Sequence, residues 1–207
     1  MTSPRAIYTV GASLVSYLTK AWEAQSPAPL GATRPEFKLM SSGDFANNIT
    51  SLTIPSVTLY LFRATVNEHL RNLPRPNLPP GKDMRLVVPL SLDLHYMLSV
   101  WSDKPEDEHF LLAWTMQELY LRPILDSSSL IADADWQPED VIQVIPAELS
   151  TEDIMRIWNA LEPSYRLSVS YIARVIRMDG PLIPAGPPVT ATRFTYQDKV
   201  DRPQSGQ

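Results

Sequence analysis

Residues 86–100 carry the most regular pattern in the sequence, in which apolar side chains alternate with a second set that is mostly polar. The apolar positions are Leu90, Leu92, Leu94, Tyr96, Leu98 and Val100, and between them stand Ser91, Asp93, His95, Met97 and Ser99. Successive residues of a strand point to opposite faces of a sheet. The pattern therefore predicts a long strand with one face in a hydrophobic core and one polar face.

Other segments add strands to this sheet. Residues 166–178 are rich in Val, Ile, Tyr and Ser and predict a second long strand, which we expect to form the centre together with the first. Residues 57–66 are β-branched and aromatic enough for a buried strand that is apolar on both faces. Short strands are expected at 36–40 and 141–145, with a polar loop at 41–48 between the first two strands.

Three segments have helical spacing. Apolar residues recur at three- and four-residue steps in residues 6–24 and 151–161, and the latter begins with a capping-box-like Ser150 and Asp153. Residues 105–122 begin with a proline and three acids and end before Pro123. Because apolar side chains cover most of this segment's circumference, it is predicted to be a central buried helix.

The order of these elements predicts an α+β fold, with a central mixed β-sheet flanked by helices. A chain of 207 residues that is 44% hydrophobic supports one core. We therefore expect a single domain at residues 1–179, followed at 180–207 by a proline-rich extended C-terminal arm. Its residues 189–196 have a brief strand-like pattern, and 204–207 are expected to be disordered.

Twenty prolines against seven glycines are the main compositional anomaly. They cluster at residues 26–35, 72–81 and 180–188, between the apolar segments. Proline fixes φ and removes a backbone donor, so these clusters indicate stiff connectors outside the strands and helices.

Composition limits the kinds of molecule and environment that this protein is expected to contact. With 18 Lys and Arg against 23 Asp and Glu, the net charge of −5 gives no reason to expect nucleic acid as a partner. No apolar run is long enough for membrane insertion, and no signal peptide is apparent. We expect a cytoplasmic protein. The absence of cysteine excludes disulfides, thiolate nucleophiles and Cys-ligated zinc.

Asp93 and His95 are the strongest candidates for chemistry, because alternation places both on the polar face of one strand. With His109 they would provide a two-histidine, one-carboxylate metal set. The alternative is a polar face at a subunit contact, with His109 in an acidic first helical turn. The sequence has no dinucleotide, P-loop, G-x-S-x-G or H-E-x-x-H motif. We predict no catalytic, cofactor-binding or metal-binding residues.

The aromatic side chains are assigned to packing rather than to ligand stacking. They are Tyr60, Phe62, Tyr96, Trp101, Trp114 and Trp158. Arg63, Arg71, Arg75 and Arg85 make the middle of the chain mildly basic, which fits a solvated loop or a contact with an acidic protein surface.

Four segments together resemble the cap-protein domain of extracellular contractile injection systems. They are residues 88–98 (VPLSLDLHYML), 107–116 (DEHFLLAWTM), 158–161 (WNAL) and 165–171 (YRLSVSY). The resemblance covers roughly residues 5–180, including the Arg71-Asn72 pair after a strand, and its segments match in order and spacing.

The resemblance implies a structural, non-enzymatic protein, with no catalytic residues and no cofactor. It implies a homo-oligomer, a sixfold ring on the distal end of the inner tube and sheath, that stops growth and fixes length. Such particles assemble in the cytoplasm and are released by lysis. Longer relatives have an added C-terminal domain, whose functions are not expected here. A sheath-end adaptor or baseplate component, and a small cytosolic hydrolase or metal enzyme, remain alternatives.

Overall fold

A computed structural model describes residues 3–25, 34–47, 52–70, 84–87, 89–178, 180 and 182–184. The helices are α1 (Ala6–Glu23), α2 (Ser42–Asn47), α3 (Pro105–Leu121) and α4 (Thr151–Leu161). The strands are β1 (Glu36–Met40), β2 (Ser56–Val66), β3 (Met84–Leu86), β4 (Leu90–Trp101), β5 (Ile124–Leu125), β6 (Ile142–Ala147), β7 (Ser168–Met178) and β8 (Leu182–Pro184). The α+β prediction is confirmed.

Six strands form one mixed sheet in the order β1-β2-β4-β7-β6-β5, and β3 pairs with β8 in a separate two-stranded ladder. The β1–β2 pair is parallel and the other pairs are antiparallel. Strands β4 and β7 pair from Leu90 opposite Met178 to Ser99 opposite Ser168. The two long strands therefore lie at the centre, as the sequence predicts.

One face of the sheet is covered by α1 and α3. Leu94, Tyr96, Leu98 and Val100 of β4 are buried there in one cluster with Val10, Leu14 and Leu18 of α1 and with Leu111 and Trp114 of α3. Helix α1 approaches the sheet closely at Gly11, where an added Cβ would lie 2.8 Å from a methyl group of Leu39. The alternating apolar residues of β4 thus face the core that their pattern predicts.

The opposite face is covered as well, so the expectation of a wholly polar second face on β4 is wrong. Met97 and Trp101 are buried in a second cluster with Phe45 of α2 and Trp158 of α4. Hydroxyl groups on the strands accept hydrogen bonds from the buried indoles. Trp101 Nε1 donates to Thr58 Oγ1 (2.8 Å), and Trp158 Nε1 donates to Ser168 Oγ (3.2 Å). Serine and threonine in these strands accept hydrogen bonds inside a core instead of facing water.

Helix α3 is not the central buried helix that its composition suggested. Leu111, Trp114, Thr115 and Leu119 are buried, whereas Tyr120 is 79% and Leu121 63% exposed. The helix lies on one face of the sheet, so only one side of it can be buried. Met116, Tyr120 and Leu121 remain exposed, whereas Phe110 and Leu112 are partly buried against the core.

Several boundaries differ from the sequence expectations. Only the first half of β2 is buried, since Arg63, Ala64 and Val66 are exposed. Residues 84–86 do not extend the central strand but pair with β8. The polar loop expected at 41–48 contains α2. Ser150 caps α4 as expected, with its Oγ accepting from the Asp153 N–H at 3.1 Å.

Some sequence expectations lie outside the described residues. These are the strand-like segment 189–196, the tail 204–207, the proline cluster 72–81, and most of the clusters 26–35 and 180–188. The boundary expected between residues 179 and 180 stays a prediction.

Trp158→Ala is expected to destabilise the domain strongly. The side chain is 1% exposed and its ring lies 5.8 Å from that of Trp101 and 6.1 Å from that of Phe45. Removing such a residue costs about 3–5 kcal/mol through lost burial and a residual cavity. For a domain of this size, that lowers the melting temperature by roughly 10 °C.

Calorimetry of Trp158→Ala beside Met155→Ala checks this assignment. Met155 is on the same helix but exposed, so its loss is expected to cost less than about 1 kcal/mol. Equal melting temperatures for the two variants would show that α4 does not seal the second core.

Candidate functional site

Asp93 and His95 lie on β4 beyond the part that α2 and α4 cover, and each contacts a different neighbour. Asn67 Nδ2 donates to both Asp93 carboxylate oxygens, at 3.1 and 3.0 Å. The Asn67 N–H donates to the Ser91 carbonyl (2.8 Å), and its Oδ1 accepts from the Leu70 N–H (3.2 Å). Asp93 therefore anchors the turn that leaves β2.

His95 is held against β2. Its Nε2 lies 3.0 Å from Thr65 Oγ1, and its ring centroid lies 6.0 Å from that of Phe62. Partial burial and then the nearby Arg63 guanidinium lower the pKa of His95 below its ordinary value, with Arg174 adding to the shift and Asp93 opposing it. The imidazole is therefore neutral near pH 7. His95 is a strand residue whose side chain packs against β2.

The structure does not assemble the metal set of Asp93, His95 and His109. His109 is exposed near the start of α3, which covers the sheet face opposite the one that bears His95. Within the described residues, no group of three or more His, Cys, Asp or Glu side chains could hold a metal ion. Asp93 and His95 lie on one face of β4, and His109 lies on a separate helix.

The first candidate surface for assembly is an apolar depression between α3 and β6, of about 280 Å³. It is lined by Met116, Gln117, Tyr120, Pro146 and Tyr171. Leu121 follows Tyr120 at the end of α3 and is also exposed. We call Met116, Tyr120, Leu121 and Pro146 the Tyr120 surface. Sequence reasoning missed it because Met116, Tyr120 and Leu121 fall in the segment that was predicted to be a buried helix.

The second is a groove of about 600 Å³ beside β1. Its walls are Pro4, Ile7 and Tyr8 at the start of α1, Leu39, Met40, Ser41, Ser42 and Asp44 at the end of β1 and in α2, and Tyr60, Leu61 and Tyr96 from the sheet. Tyr8 is 67% exposed. We call this the Tyr8 groove. Its walls come from separate segments of the chain, so no local pattern in the sequence marks the groove.

The two edges of the sheet differ in their ability to add a strand. At the β5 edge, the Val144 N–H of β6 already donates to the Pro123 carbonyl at 2.6 Å, and Pro146, two residues on, has no N–H. Proline at an edge prevents further pairing. In the described segments no strand pairs with the outer side of β1, so β1 is the edge that could accept one.

The described helices include none with the length and apolar character that crossing a bilayer requires.

A family model for the Pvc16 N-terminal domain matches residues 9–192. The chain belongs to this family. The match includes both central strands and all four helices except the first residues of α1. The resemblance inferred from the sequence is confirmed. No curated protein matches the sequence significantly.

Two solved structures are similar to this Pvc16 N-terminal domain. One is the sheath/tube terminator of an extracellular contractile injection system, PVC, in the extended state, with a TM-score of 0.58 and 16% identity over 95% of this chain. The chain spans 65% of that terminator's length. The other is the tube-terminating cap of the anti-feeding prophage, with a TM-score of 0.46 and 13% identity over 68% of this chain and 50% of the cap. The first comparison shows a shared fold.

His95 is expected to make the stability of the domain depend on pH. Between its lowered folded pKa and the ordinary value of 6.5, the unfolded chain binds a proton that the folded chain does not. The free energy of unfolding therefore falls as the pH falls through that window.

Urea unfolding from about pH 7.5 to about pH 5.5 measures this effect. His95→Gln is expected to lose less stability over the range than the wild type, with the exposed His109→Gln as the matched control. An equal loss in the wild type and His95→Gln would show that His95 is not held neutral by the fold.

Proposed function

We propose that the protein is a structural cap, or tail terminator, that closes the distal end of the inner tube and sheath of a contractile injection particle and fixes its length. The observation that carries the proposal is the family match over residues 9–192. The fold shared with the PVC sheath/tube terminator supports it.

The construction of the domain supports a structural role. Both faces of the central sheet are covered by helices and aromatic clusters, which makes a stiff body. Large apolar side chains, among them Tyr8, Tyr120 and Leu121, are exposed, as in proteins that bind other proteins. The polar residues with the strongest claim to chemistry are used to hold β2 against β4.

We propose a homo-hexameric ring as the assembled form. Six chains of 23.3 kDa give a mass of about 140 kDa. The ring would contact the tube and sheath proteins and need no nucleic acid, membrane insertion, cofactor or catalytic residue. The particle would assemble in the cytoplasm and be released by lysis. A sheath-end adaptor or baseplate component is the nearest alternative, and it differs in which end of the particle the protein occupies.

Tube length in a strain that lacks the gene tests the capping function. We expect particles with a broad, extended length distribution, because nothing stops tube growth. Complementation with the wild type or the exposed-site variant Tyr165→Ala should restore one length. A narrow, normal length distribution without the protein would contradict capping. Loss of the baseplate with normal length control would favour the baseplate alternative.

The C-terminal arm is proposed to contact a neighbouring subunit or the sheath. Val189, Ala191, Arg193, Phe194 and Tyr196 are residues suited to strand addition at an exposed edge. Residues 182–184 pair with 84–86, so the arm is best removed after Pro184. We expect this truncation to keep the melting temperature but to give uncapped or overlong particles. Particles of normal length would show that the arm is dispensable.

A further inference from the structure

Helices α2 and α4 cover only part of the second face of the sheet. On β4, Met97 and Trp101 are buried beneath them, whereas Asp93 and His95 on the same face are only partly buried. No helix in the described part of the chain buries the portion around Asp93 and His95. We call this portion of the sheet the open half. Its partly exposed side chains can contact a partner.

Three arginines lie on the open half. Arg63 of β2 pairs opposite His95, and Arg177 of β7 pairs opposite Ser91. Arg174 also belongs to β7. Burial lowers the pKa of His95, and the positive charges of Arg63 and Arg174 lower it further. Guanidinium groups from the two strands that flank β4 therefore approach the same imidazole.

The strand register places these arginines on the face that is turned away from α1 and α3. Leu92 and Ile176 pair with each other and are buried in the core under those helices, so the adjacent Arg177 points to the other face. Arg174 pairs with Gln143, which is exposed between two core residues of β6. We call Arg63, Arg174 and Arg177 the arginine face.

The arginine face is small. Strands β2 and β7 lie on either side of β4, so their backbones are about 10 Å apart. Along β4, the distance from His95, opposite Arg63, to Ser91, opposite Arg177, is about 13 Å. A short peptide segment can reach all three guanidinium groups at once.

The charge of the arginine face is not neutralised within the described residues. None of its three guanidinium groups makes an ion pair or a hydrogen bond there, and Arg174 Nε is buried without an acceptor. Asp93 lies on the same face, but both of its carboxylate oxygens accept from Asn67. Buried donors without an acceptor are uncommon in folded proteins. The arginine face therefore has unused capacity to bind an anion.

The residue types favour carboxylates of a protein partner. All three cations are arginines, whose planar guanidinium groups bind carboxylates through two parallel hydrogen bonds and lose hydration more readily than lysine does. Phe62 and Ile172 are partly buried beside His95 and offer apolar surface for the rest of a peptide segment. Arginine and aromatic residues together are typical of protein interfaces.

A long polyanion fits this surface less well than an acidic protein segment does. The chain has a net charge of −5, so most of its surface repels nucleic acid or an anionic membrane. At physiological salt, charges act over only about 8 Å, so a short acidic segment at the arginine face is affected mainly by the local arginines.

We propose that the arginine face binds an acidic segment of a partner protein in the particle, whose Asp or Glu carboxylates pair with Arg63, Arg174 and Arg177. The identity of the partner as a tube or sheath protein rests on the proposed cap function, and the binding chemistry rests on the arginine face alone.

Binding of a labelled hexaglutamate peptide, measured by fluorescence anisotropy at low salt, tests the chemistry. We expect the wild type to bind it, and the variant with Arg63, Arg174 and Arg177 all changed to Gln to bind about tenfold more weakly or worse, because three charge-assisted contacts are lost. If that variant does not fold, the exposed Arg177→Glu alone should still weaken binding.

The matched control changes Lys20, Lys104 and Arg156 to Gln. These residues are exposed on helices or at a helix start, and their loss alters the net charge by the same amount. The control variant should bind hexaglutamate within about twofold of the wild type. Equal affinities for the two triple variants, or no binding by the wild type, would overturn the proposal.

A thymidine oligonucleotide of the same charge and phosphatidylserine vesicles are tested with the same proteins. We expect both to bind more weakly than hexaglutamate. Tighter binding of either one, lost when the arginine face is changed, would overturn the assignment to an acidic protein segment.

Co-sedimentation with uncapped particles from a strain that lacks the gene tests the partner. The arginine-face variant should bind about tenfold more weakly than the wild type, and its binding should depend less on salt. Wild-type binding by this variant would overturn the contact and leave the cap function standing. A wild-type protein that binds hexaglutamate but no particles would instead be a failure of the cap function.

Discussion

The rest of the structure depends on the burial of β4 and β7 between two helical layers. On one side α1 and α3 pack on Leu94, Tyr96 and Leu98, and on the other side α2 and α4 pack on Met97 and Trp101. Because both faces are covered, polar atoms that are buried there need partners inside the protein. The indoles of Trp101 and Trp158 find them in the hydroxyls of Thr58 and Ser168. Stiffness follows from this two-sided packing, and the exposed edges follow from the limited width of the helical layers.

The main elements of the fold were predictable because their signals are local. The alternation of β4, the apolar steps of α1, and the Ser150 cap of α4 depend on residues close together in the chain. Which faces would be covered was not predictable, since that depends on α2, a helix of six residues with no strong periodicity. Phe45 of α2 turns the Met97 side of β4 from an expected solvent face into a core.

For the candidate surfaces as well, local patterns were predictable and tertiary contacts were not. The expectation that Asp93 and His95 are adjacent on one strand face was correct. Alternation could not reveal that Asp93 is hydrogen-bonded to Asn67 and His95 to Thr65. Tyr120 and Leu121 are residue types that are common in cores. They are exposed because α3 lies on the outside of one face of the sheet. The family resemblance supplied what periodicity could not, because it relates the order of segments to a known assembly.

Imaging of native particles by electron cryomicroscopy tests the central claim most directly. At a resolution that separates helices, we expect a ring at the distal end of the tube that contains six copies of this fold. Density for this fold at the baseplate, or a distal end that contains no copy of it, would contradict the account.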